Sequence, residues 1–404
     1  MSIGIQALRS AGAATIALAT VCTLTLGAAG SATADTGPVV ANVAVDLPLP
    51  PGAVGSYPYE VNDNGVIVGY AVIDSVSRRL PIRWNADLSA TVLPLLPGDQ
   101  HGEAMAVSGD GTAVGFSGHR LVSWAPDGTV TLMQSLPGDF VASAYVREIN
   151  RTGTAVGNTR TGTNGTVYRA VKWGPDGRAV QLAALSGDVE STALSVNSSG
   201  TVAGLSYSAS GVARPVKWSP DGTPIALDPT SAYRNVWVRQ INDAGTVLAG
   251  ATPTGAANLP WRSVTWNADG TVTDLGRHSA AKAINASGTA VGHQLGQDNI
   301  DYTATRWSPD GTAATIGADY EYTTAVAVND AGVSVGHTGQ MVPSDTNRYA
   351  LRWEPDGTLT ELNVAPHGNS YALFVNNAGL TVGVRQVTNP TPTGFQHTAV
   401  IWRP

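Results

Sequence analysis

Beyond about residue 40, the chain consists of short runs in which apolar and polar residues alternate. Residues 169–173 are one such run, in which the charged Arg169 and Lys172 stand among the apolar Ala170, Val171 and Trp173. Each run ends at a polar turn that contains glycine. A period of two indicates β-strands, and none of these runs keeps the spacing of an amphipathic helix. The pattern predicts an all-β protein.

One phrase occurs eight times. It begins with a branched apolar residue, and the next position is usually Asn. Two small or polar residues, a Gly and a short run that ends in Val-Gly follow. The copies begin 42 to 47 residues apart; the second has Ser in place of Asn, and the fifth carries one additional residue before its last Gly. The Asn positions, with Ser108 in the second copy, are Asn62, Ser108, Asn150, Asn197, Asn242, Asn285, Asn329 and Asn376.

A second phrase follows each copy of the first and ends in tryptophan, often after Arg or Lys. A polar turn such as Pro-Asp-Gly follows seven of the eight tryptophans. Both Asn-x-x-Gly and Pro-Asp-Gly suit a type I turn followed by a left-handed Gly, a common closure of β-hairpins. The tryptophans are Trp84, Trp124, Trp173, Trp218, Trp266, Trp307, Trp353 and Trp402.

A period near 45 residues with several short strands in each unit is typical of a β-propeller. Each unit is predicted to contain four strands, named a to d here. Asn-x-x-Gly joins a to b, strand c ends in Trp, and strand d follows the second turn. The chain ends on a strand c, whereas residues 43–52 resemble a strand d with its link. We therefore expect an eight-bladed β-propeller of four-stranded blades, in which the N-terminal strand completes the last blade. Seven blades plus an extra hairpin is the less favoured alternative.

The eight tryptophans are expected to lie between the blades. A buried Trp removes about 150–250 Å² from water, which stabilises the fold by at most about 4–6 kcal/mol. The alternative is that the tryptophans form ligand platforms.

Residues 1–34 read as a secretory signal peptide. Arg9 precedes a stretch of small, weakly apolar residues, and Ala32-Thr33-Ala34 is an A-x-A cleavage pattern. A membrane anchor is the alternative, although no flanking charges stop transfer. The lone Cys22 lies inside this segment, so residues 35–404, which we expect to form a single propeller domain, contain no cysteine. The expected product is a secreted, extracellular monomer with no membrane span in the mature chain.

The composition limits the partners. The formal charge is −7, only 13% of residues are charged, and no run of Lys or Arg occurs. We therefore expect no nucleic-acid partner. Neither a metal nor another cofactor is predicted, and no local catalytic motif is present, although a site assembled from separate loops would leave no such motif.

The repeat resembles the extracellular HAF-type repeat family of bacteria, whose phrase is Ile-Asn-Asp-x-Gly-x-x-Val-Gly followed by His-Ala-Phe-x-Trp. Residues 241–245 and 328–332 match the first part, but residues 349–353 and 169–173 lack the His and Phe of the second. The resemblance extends over residues 43–404. It implies a secreted repeat fold and carries no activity or catalytic residues.

The two ends of a propeller differ. The a–b and c–d turns are short and uniform, and we call their end the turn face. The b–c loops and d–a links vary, and we call their end the loop face. Ligand sites favour variable loops on a rigid scaffold. The loop face carries aromatic, Arg and His residues, and the binding candidates are Tyr168, Arg169, Trp261, Arg262, Tyr302, Tyr349, His293 and His337.

Aromatic rings stack on the apolar faces of sugars, and charged groups bond hydroxyls. The predicted function is therefore a non-enzymatic module that binds extracellular carbohydrate or a cell-surface partner. The aromatic residues could instead cover blade edges, with Arg extending over them. The alternative functions are a secreted polysaccharide lyase or glycoside hydrolase on the same face, and a protein–protein interaction scaffold. Acid–base candidates for the enzyme are Asp99, Asp139, Asp188, His101 and Tyr302.

Two further groupings have a possible metal role. His293 and His337 directly follow Val-Gly in adjacent repeats, so they occupy equivalent positions that could share a metal or an anion. Repeat drift is the alternative, because other copies hold unrelated residues there. Asp298 and Asp301 could hold calcium but lack the third carboxylate and the Gly of a dedicated loop.

Overall fold

The structure is a computed structural model. It describes residues 42–404 except 74–77, 140–143, 163–164, 229–231, 256–259, 297–300, 318–319, 321, 340–347, 363–368 and 389–394. The predicted signal peptide therefore lies outside the described residues. Within those ranges no helix has the length and hydropathy needed to cross a membrane.

The first strand and the first four blades follow one another along the chain. Each blade is one antiparallel sheet whose strands a to d lie in sequence order. Strand β1 is Val45–Asp46. Blade 1 is β2 (Ala53–Val61), β3 (Ile67–Ile73), β4 (Arg78–Trp84) and β5 (Ala90–Val92); blade 2 is β6 (Gly102–Val107), β7 (Ala113–Ser117), β8 (Arg120–Trp124) and β9 (Val130–Leu132); blade 3 is β10 (Tyr145–Ile149), β11 (Ala155–Thr161), β12 (Val167–Trp173) and β13 (Ala179–Leu182); blade 4 is β14 (Asp188–Val196), β15 (Val202–Ser208), β16 (Ala213–Trp218) and β17 (Pro224–Ala226).

The second half repeats this plan and ends with three strands. The fourth strand of the last sheet is β1, so its order is β1-β32-β31-β30. Blade 5 is β18 (Tyr233–Ile241), β19 (Val247–Pro253), β20 (Arg262–Trp266) and β21 (Val272–Arg277); blade 6 is β22 (Ser279–Ile284), β23 (Ala290–Leu295), β24 (Tyr302–Trp307) and β25 (Ala313–Thr315); blade 7 is β26 (Thr323–Val328), β27 (Ser334–Thr338), β28 (Ala350–Trp353) and β29 (Leu359–Leu362); blade 8 is β30 (Ser370–Val375), β31 (Thr381–Thr388) and β32 (Phe395–Trp402) with β1.

The two ends of the described chain share blade 8, and this confirms the predicted closure. Val45 pairs with Ile401, and the Leu47 N–H donates to the Ala399 carbonyl at 2.9 Å. The Arg385 guanidinium adds two hydrogen bonds to the Asp46 carboxylate, at 2.6 and 2.5 Å. The eight-bladed all-β propeller predicted from the repeats is confirmed. Closure also covers the strand edge that an open ring would expose.

The Val-Gly of strand b has a steric cause. In most blades strand a contains a β-bulge opposite it, and the bulge brings a backbone carbonyl toward the glycine. A Cβ on Gly69 would lie 2.0 Å from the Tyr57 oxygen. Only glycine fits against that carbonyl. In blade 5 the strands pair differently, and the indole of Trp237 occupies the space beside Gly250, where a Cβ would lie 2.0 Å from the ring.

The strand-c tryptophans form the core between blades. All eight are at most 1% exposed, as predicted for structural residues. In the first four blades the indole N–H donates to a carbonyl of the link before strand a, as Trp218 does to Ala183 at 2.7 Å. The indole N–H groups of Trp266, Trp307 and Trp353 have no hydrogen-bond partner among the described atoms. The tryptophans of blades 1 to 4 therefore hold their links by a hydrogen bond that those of blades 5 to 7 do not make among the described residues.

The turn asparagines join neighbouring blades. Each Oδ1 accepts from the backbone N–H four residues ahead, while Nδ2 donates to the carbonyl of the same position in the next blade. The Asn376 amide completes the circuit by donating to the Asn62 carbonyl at 2.9 Å. Ser108 interrupts it, because the Ser108 hydroxyl donates to Asp110 instead. We call this set the Asn ring; its inter-blade donors are Asn62, Asn150, Asn197, Asn242, Asn285, Asn329 and Asn376.

Candidate functional site

The eight strands a surround the central channel, and each contacts the strand a of both neighbouring blades. Side chains three and five residues before the turn Asn line a cavity of about 1190 Å³ at the loop face, beside blades 1 to 4. Side chains two residues before the Asn line a smaller space of about 400 Å³ at the turn face. We call the first of these the loop-face cavity; it is larger than most small-molecule sites.

Aromatic rings dominate the wall of the loop-face cavity. Tyr145 is 38% exposed, and its ring centroid lies 6.1 Å from that of Phe116. Apolar side chains from blades 2 and 4, among them Met105 and Leu194, also line the cavity. The aromatic members are Tyr59, Phe116, Tyr145, Tyr168 and Tyr207.

Carboxylates form the acidic part of this wall. The Tyr59 hydroxyl donates to Glu103 at 2.8 Å, and Arg79 contacts the other carboxylate oxygen at 2.7 Å. Burial, together with the bond to Glu103, raises the pKa of the Tyr59 phenol. Glu190, in blade 4, accepts from the Tyr168 backbone N–H at 3.3 Å.

Guanidinium groups lie over two of the rings. The Arg147 guanidinium carbon is 4.6 Å from the centroid of Tyr145, and that of Arg160 is 5.0 Å from the centroid of Tyr168. Such contacts hold a cation beside an aromatic face. The loop-face cavity thus offers apolar surface, both signs of charge and hydrogen-bond donors within one space.

Of the predicted binding residues, Tyr168 lies in this cavity and its neighbour Arg169 does not. Arg169 instead binds Asp139, in the link before strand a of blade 3, and donates to the Pro137 carbonyl at 3.1 Å. The Asp139 carboxylate also accepts from the Leu136 N–H at 2.7 Å.

Two further links use the same arrangement. Asp99 accepts from Ser117 at 2.6 Å and from Arg120 at 2.8 Å. Asp188 accepts from Ser206 at 2.6 Å and from Arg214 at 2.9 Å. These carboxylates, with Asp139, had been candidates for acid–base chemistry. Their observed contacts fix the links to strands b and c.

Trp261, Arg262, Tyr302 and Tyr349 lie on blades 5 to 7, away from the loop-face cavity. The Trp261 ring is 6.4 Å from Trp237, and Arg262 binds Asp274 on the neighbouring strand. Tyr302 is 4.9 Å from His293, between ring centroids. Tyr349 is half-buried and packs against the core between blades 6 and 7.

His293 and His337 occupy equivalent strand-b positions, as the repeat indicated. Nδ1 of His293 is 3.0 Å from the Thr324 hydroxyl, and Nδ1 of His337 is 3.0 Å from the Thr338 carbonyl. Burial lowers the pKa of both, to about 4 for His293, and nearby Lys282 acts in the same direction. In the part of the chain that the structure describes, no three His, Cys, Asp or Glu side chains come close enough to hold a metal. Asp298 lies outside the described residues.

At the turn face, Glu60 and Glu148 line the smaller space of the channel. Glu60 accepts from the Val107 N–H of the next blade at 2.9 Å. Burial raises the pKa of Glu60 to about 8 and that of Glu148 to about 7. The negative charge of Glu148 raises the pKa of Glu60 further, and that of Asp243 raises the pKa of Glu148 further.

Sequence reasoning had placed the site on the b–c loops and missed strand a. Tyr145, Arg147, Glu103 and Met105 all come from strand a. The bulge shifts the alternation of inward and outward side chains by one residue, so period-two reasoning gives the wrong face beyond it. A signal was present, since blades 1, 3, 5 and 6 each carry a large aromatic or charged residue three positions before Asn.

No family model matches the sequence, and no curated protein matches it. Solved structures do match. One is dipeptidyl peptidase 4 of Porphyromonas gingivalis (TM-score 0.53, 10% identity, covering 86% of this chain and 59% of that one). A puromycin hydrolase gives a TM-score of 0.51 at 13% identity, covering 85% and 60%. A puromycin-hydrolyzing peptidase of Mycobacterium tuberculosis gives 0.50 at 14% identity, covering 84% and 59%.

This chain therefore spans about three fifths of the length of each of these proteins. Identities this low establish the propeller fold and no activity. The comparison nevertheless overturns the prediction of a carbohydrate-binding module, because the propellers of similar fold belong to peptidases and a hydrolase of puromycin. The alternative of a polysaccharide lyase or glycoside hydrolase loses its basis with it.

Proposed function

We propose that this propeller binds a polypeptide segment in the loop-face cavity. The single observation that carries the proposal is the lining of that cavity. Exposed Tyr145 supplies an aromatic anchor, Arg147 and Glu190 supply opposite charges, and Met105 supplies apolar contact. Tyr and Arg are the residues most often responsible for binding energy at protein interfaces.

The size of the cavity supports a polypeptide ligand. A volume of about 1190 Å³ accommodates several residues of an extended chain. A polypeptide presents apolar side chains together with ionic groups of both signs, and that mixture matches the wall. Two of the three similar structures are named as peptidases, and this favours the same class of ligand here.

Panning a library of random 12-residue peptides on the immobilised protein tests the proposal. Peptides that are enriched are then synthesised and titrated calorimetrically. We expect Tyr145→Ala to weaken binding by at least tenfold, since it removes an exposed ring together with its contact to Arg147. Tyr349→Ala, on blade 7 outside the cavity, is the matched control and should bind as the unmodified protein does.

Circular dichroism and melting curves must show that both variants are folded. Equal affinities for the two variants, or a library that yields no specific peptide, would refute the proposal.

We also propose that the protein is secreted and that its repeat belongs to a known type. The segment of residues 1–34 would direct secretion, and the repeat would belong to the HAF type that it resembles. N-terminal sequencing of protein recovered from the medium of expressing bacteria checks the first point, with a start near Asp35 as the expected result.

A further inference from the structure

The channel wall opposite the loop-face cavity carries two cations. The position three residues before the turn Asn lines the loop-face cavity in blades 1 to 4. In blades 5 and 6 the same position holds Arg239 and Lys282. Because these blades are neighbours and strands a are innermost, both side chains belong to one sector of the channel.

Neither cation has an anionic partner among the described residues. No hydrogen bond or ion pair of Arg239 or Lys282 occurs there, whereas most other arginines near the channel are engaged, as Arg79 is by Glu103 and Arg348 is by the Tyr371 hydroxyl. Burial lowers the pKa of Arg239 and of Lys282, and the charge of Arg239 lowers that of Lys282 further. The like charges of the two groups therefore repel each other, while the Arg239 side chain is exposed and that of Lys282 is half-buried.

The adjoining side chains do not neutralise this charge. His293 lies near enough for Lys282 and Arg239 to lower its pKa, which is about 4, so its imidazole is neutral at pH 7. A neutral imidazole can donate one hydrogen bond without adding to the repulsion. We call Arg239, Lys282 and His293 the basic cluster. An incoming anion would relieve the repulsion and gain two charge-assisted contacts.

We propose that the basic cluster binds a carboxylate group, and that in the working protein this group belongs to the polypeptide held in the loop-face cavity. The second part rests on the proposed function, and the first does not. A polypeptide offers carboxylates at its C-terminus and on Asp and Glu. A ligand that occupies the cavity beside blades 1 to 4 would reach across the channel to Arg239 and Lys282.

The anion site can be tested without any peptide. Protein labelled with ¹³C-histidine is titrated with sodium acetate at constant ionic strength, with sodium chloride as the reference salt. The chain has seven histidines, and the signal of His293 is identified from the variant His293→Gln. We expect a saturable shift of the His293 signal with acetate and none with chloride.

Charge-neutral variants locate the site. Lys282→Met and Arg239→Met should weaken acetate binding at least tenfold. Arg178→Met, at an exposed arginine in the c–d turn of blade 3 and outside the loop-face cavity, is the matched control and should leave it unchanged. Melting temperatures of Lys282→Met and Arg239→Met should equal or exceed that of the unmodified protein, because each change removes a repulsion. Absence of a saturable shift, or equal acetate affinity in the variants and the control, overturns the proposal.

The peptides from panning identify the source of the carboxylate. Each is compared with its C-terminal amide and with a form in which Asp and Glu are replaced by Asn and Gln. A tenfold loss with the amide assigns the chain terminus, and a similar loss with the second form assigns a side chain. If acetate binds but no peptide does, the polypeptide-binding function fails and the anion site stands. If peptides bind but acetate does not, the anion site fails alone.

Discussion

The Asn ring should contribute more to stability than turns of this type usually do, and Asn242→Ala tests it. The Asn242 side chain is buried and makes two hydrogen bonds. Its Nδ2 donates to the Asn285 carbonyl at 2.9 Å, and its Oδ1 accepts from the Thr246 N–H at 2.8 Å. Alanine would leave the Thr246 N–H without a partner and would remove one of the two donors to the Asn285 carbonyl, which keeps its bond from the Gly288 N–H. At about 1–3 kcal/mol for the orphaned N–H and about 0.5–1.5 kcal/mol for the lost inter-blade bond, the free energy of unfolding should fall by about 1.5–4.5 kcal/mol.

Asn242→Asp separates the two bonds. Aspartate keeps an acceptor for Thr246 but faces the Asn285 carbonyl with a negative charge in place of a donor. Burial and that carbonyl raise the pKa of the new carboxyl in the folded state, so the penalty is greatest at neutral pH and shrinks as the pH falls and the group protonates. The variant should therefore recover part of its stability at pH 4 relative to the unmodified protein.

Urea unfolding followed by tryptophan fluorescence measures these effects, since the strand-c indoles are buried. Asn267→Ala is the matched control, because Asn267 opens an exposed c–d turn and bonds only within it. It should change stability by less than about 0.5 kcal/mol. Ser108→Asn would supply the missing donor of the ring and should add about 0.5–1.5 kcal/mol. If Asn242→Ala is as mild as Asn267→Ala, the ring does not hold the blades together.

Three further changes test the fold and the channel. Trp307→Ala should lower the free energy of unfolding by about 3–5 kcal/mol, because it removes a buried core side chain. Trp218→Phe should lower it more than Trp307→Phe does, because only the change at Trp218 leaves a carbonyl, that of Ala183, without its donor. Urea midpoints in the reverse order would contradict the indole contacts. Deleting residues 35–50 removes β1 and Leu47 and should lower the melting temperature of the whole protein, whereas an unchanged value would contradict closure by the N-terminal strand. The pKa values of Glu60 and Glu148 are raised to about 8 and about 7 in the folded state, so stability should decline as the pH rises from about 4.5 to 8. Glu60→Gln should make the melting temperature depend less on pH over this range. A variant curve parallel to that of the unmodified protein would show that Glu60 does not titrate there.

Much of the fold could be predicted from the sequence because each blade repeats the same local chemistry. A single repeat already shows the turn glycines and the Trp at the end of strand c. Eight such repeats, with the strand-d character of residues 43–49, predict eight blades and the closing strand. The role of Asn across blades was not predicted. The turn chemistry around Asn62 accounts for the turn alone. The residues of that repeat do not indicate that the Asn62 amide donates to the Ser108 carbonyl of the next blade.

The site was less accessible to such reasoning. Tyr168 lines the loop-face cavity, whereas Arg169, the next residue of strand β12, binds Asp139 in a link that is 30 residues away in the sequence. A contact between residues so far apart cannot be read from one repeat. Arg147 is the additional residue of the β-bulge in strand a, between Val146 and Glu148, so regular alternation does not predict the direction of its side chain. The position of the loop-face cavity depends on which blades carry small or large side chains around the axis, and no single repeat contains that information.

Hydrogen–deuterium exchange with and without an enriched peptide tests the central claim most directly. Polypeptide binding at the loop-face cavity predicts slower exchange in Gly102–Val107, Tyr145–Ile149 and Val167–Trp173, with no change at the Asn-x-x-Gly turns. Protection confined to the turn face, or spread evenly over all eight blades, would contradict the assignment.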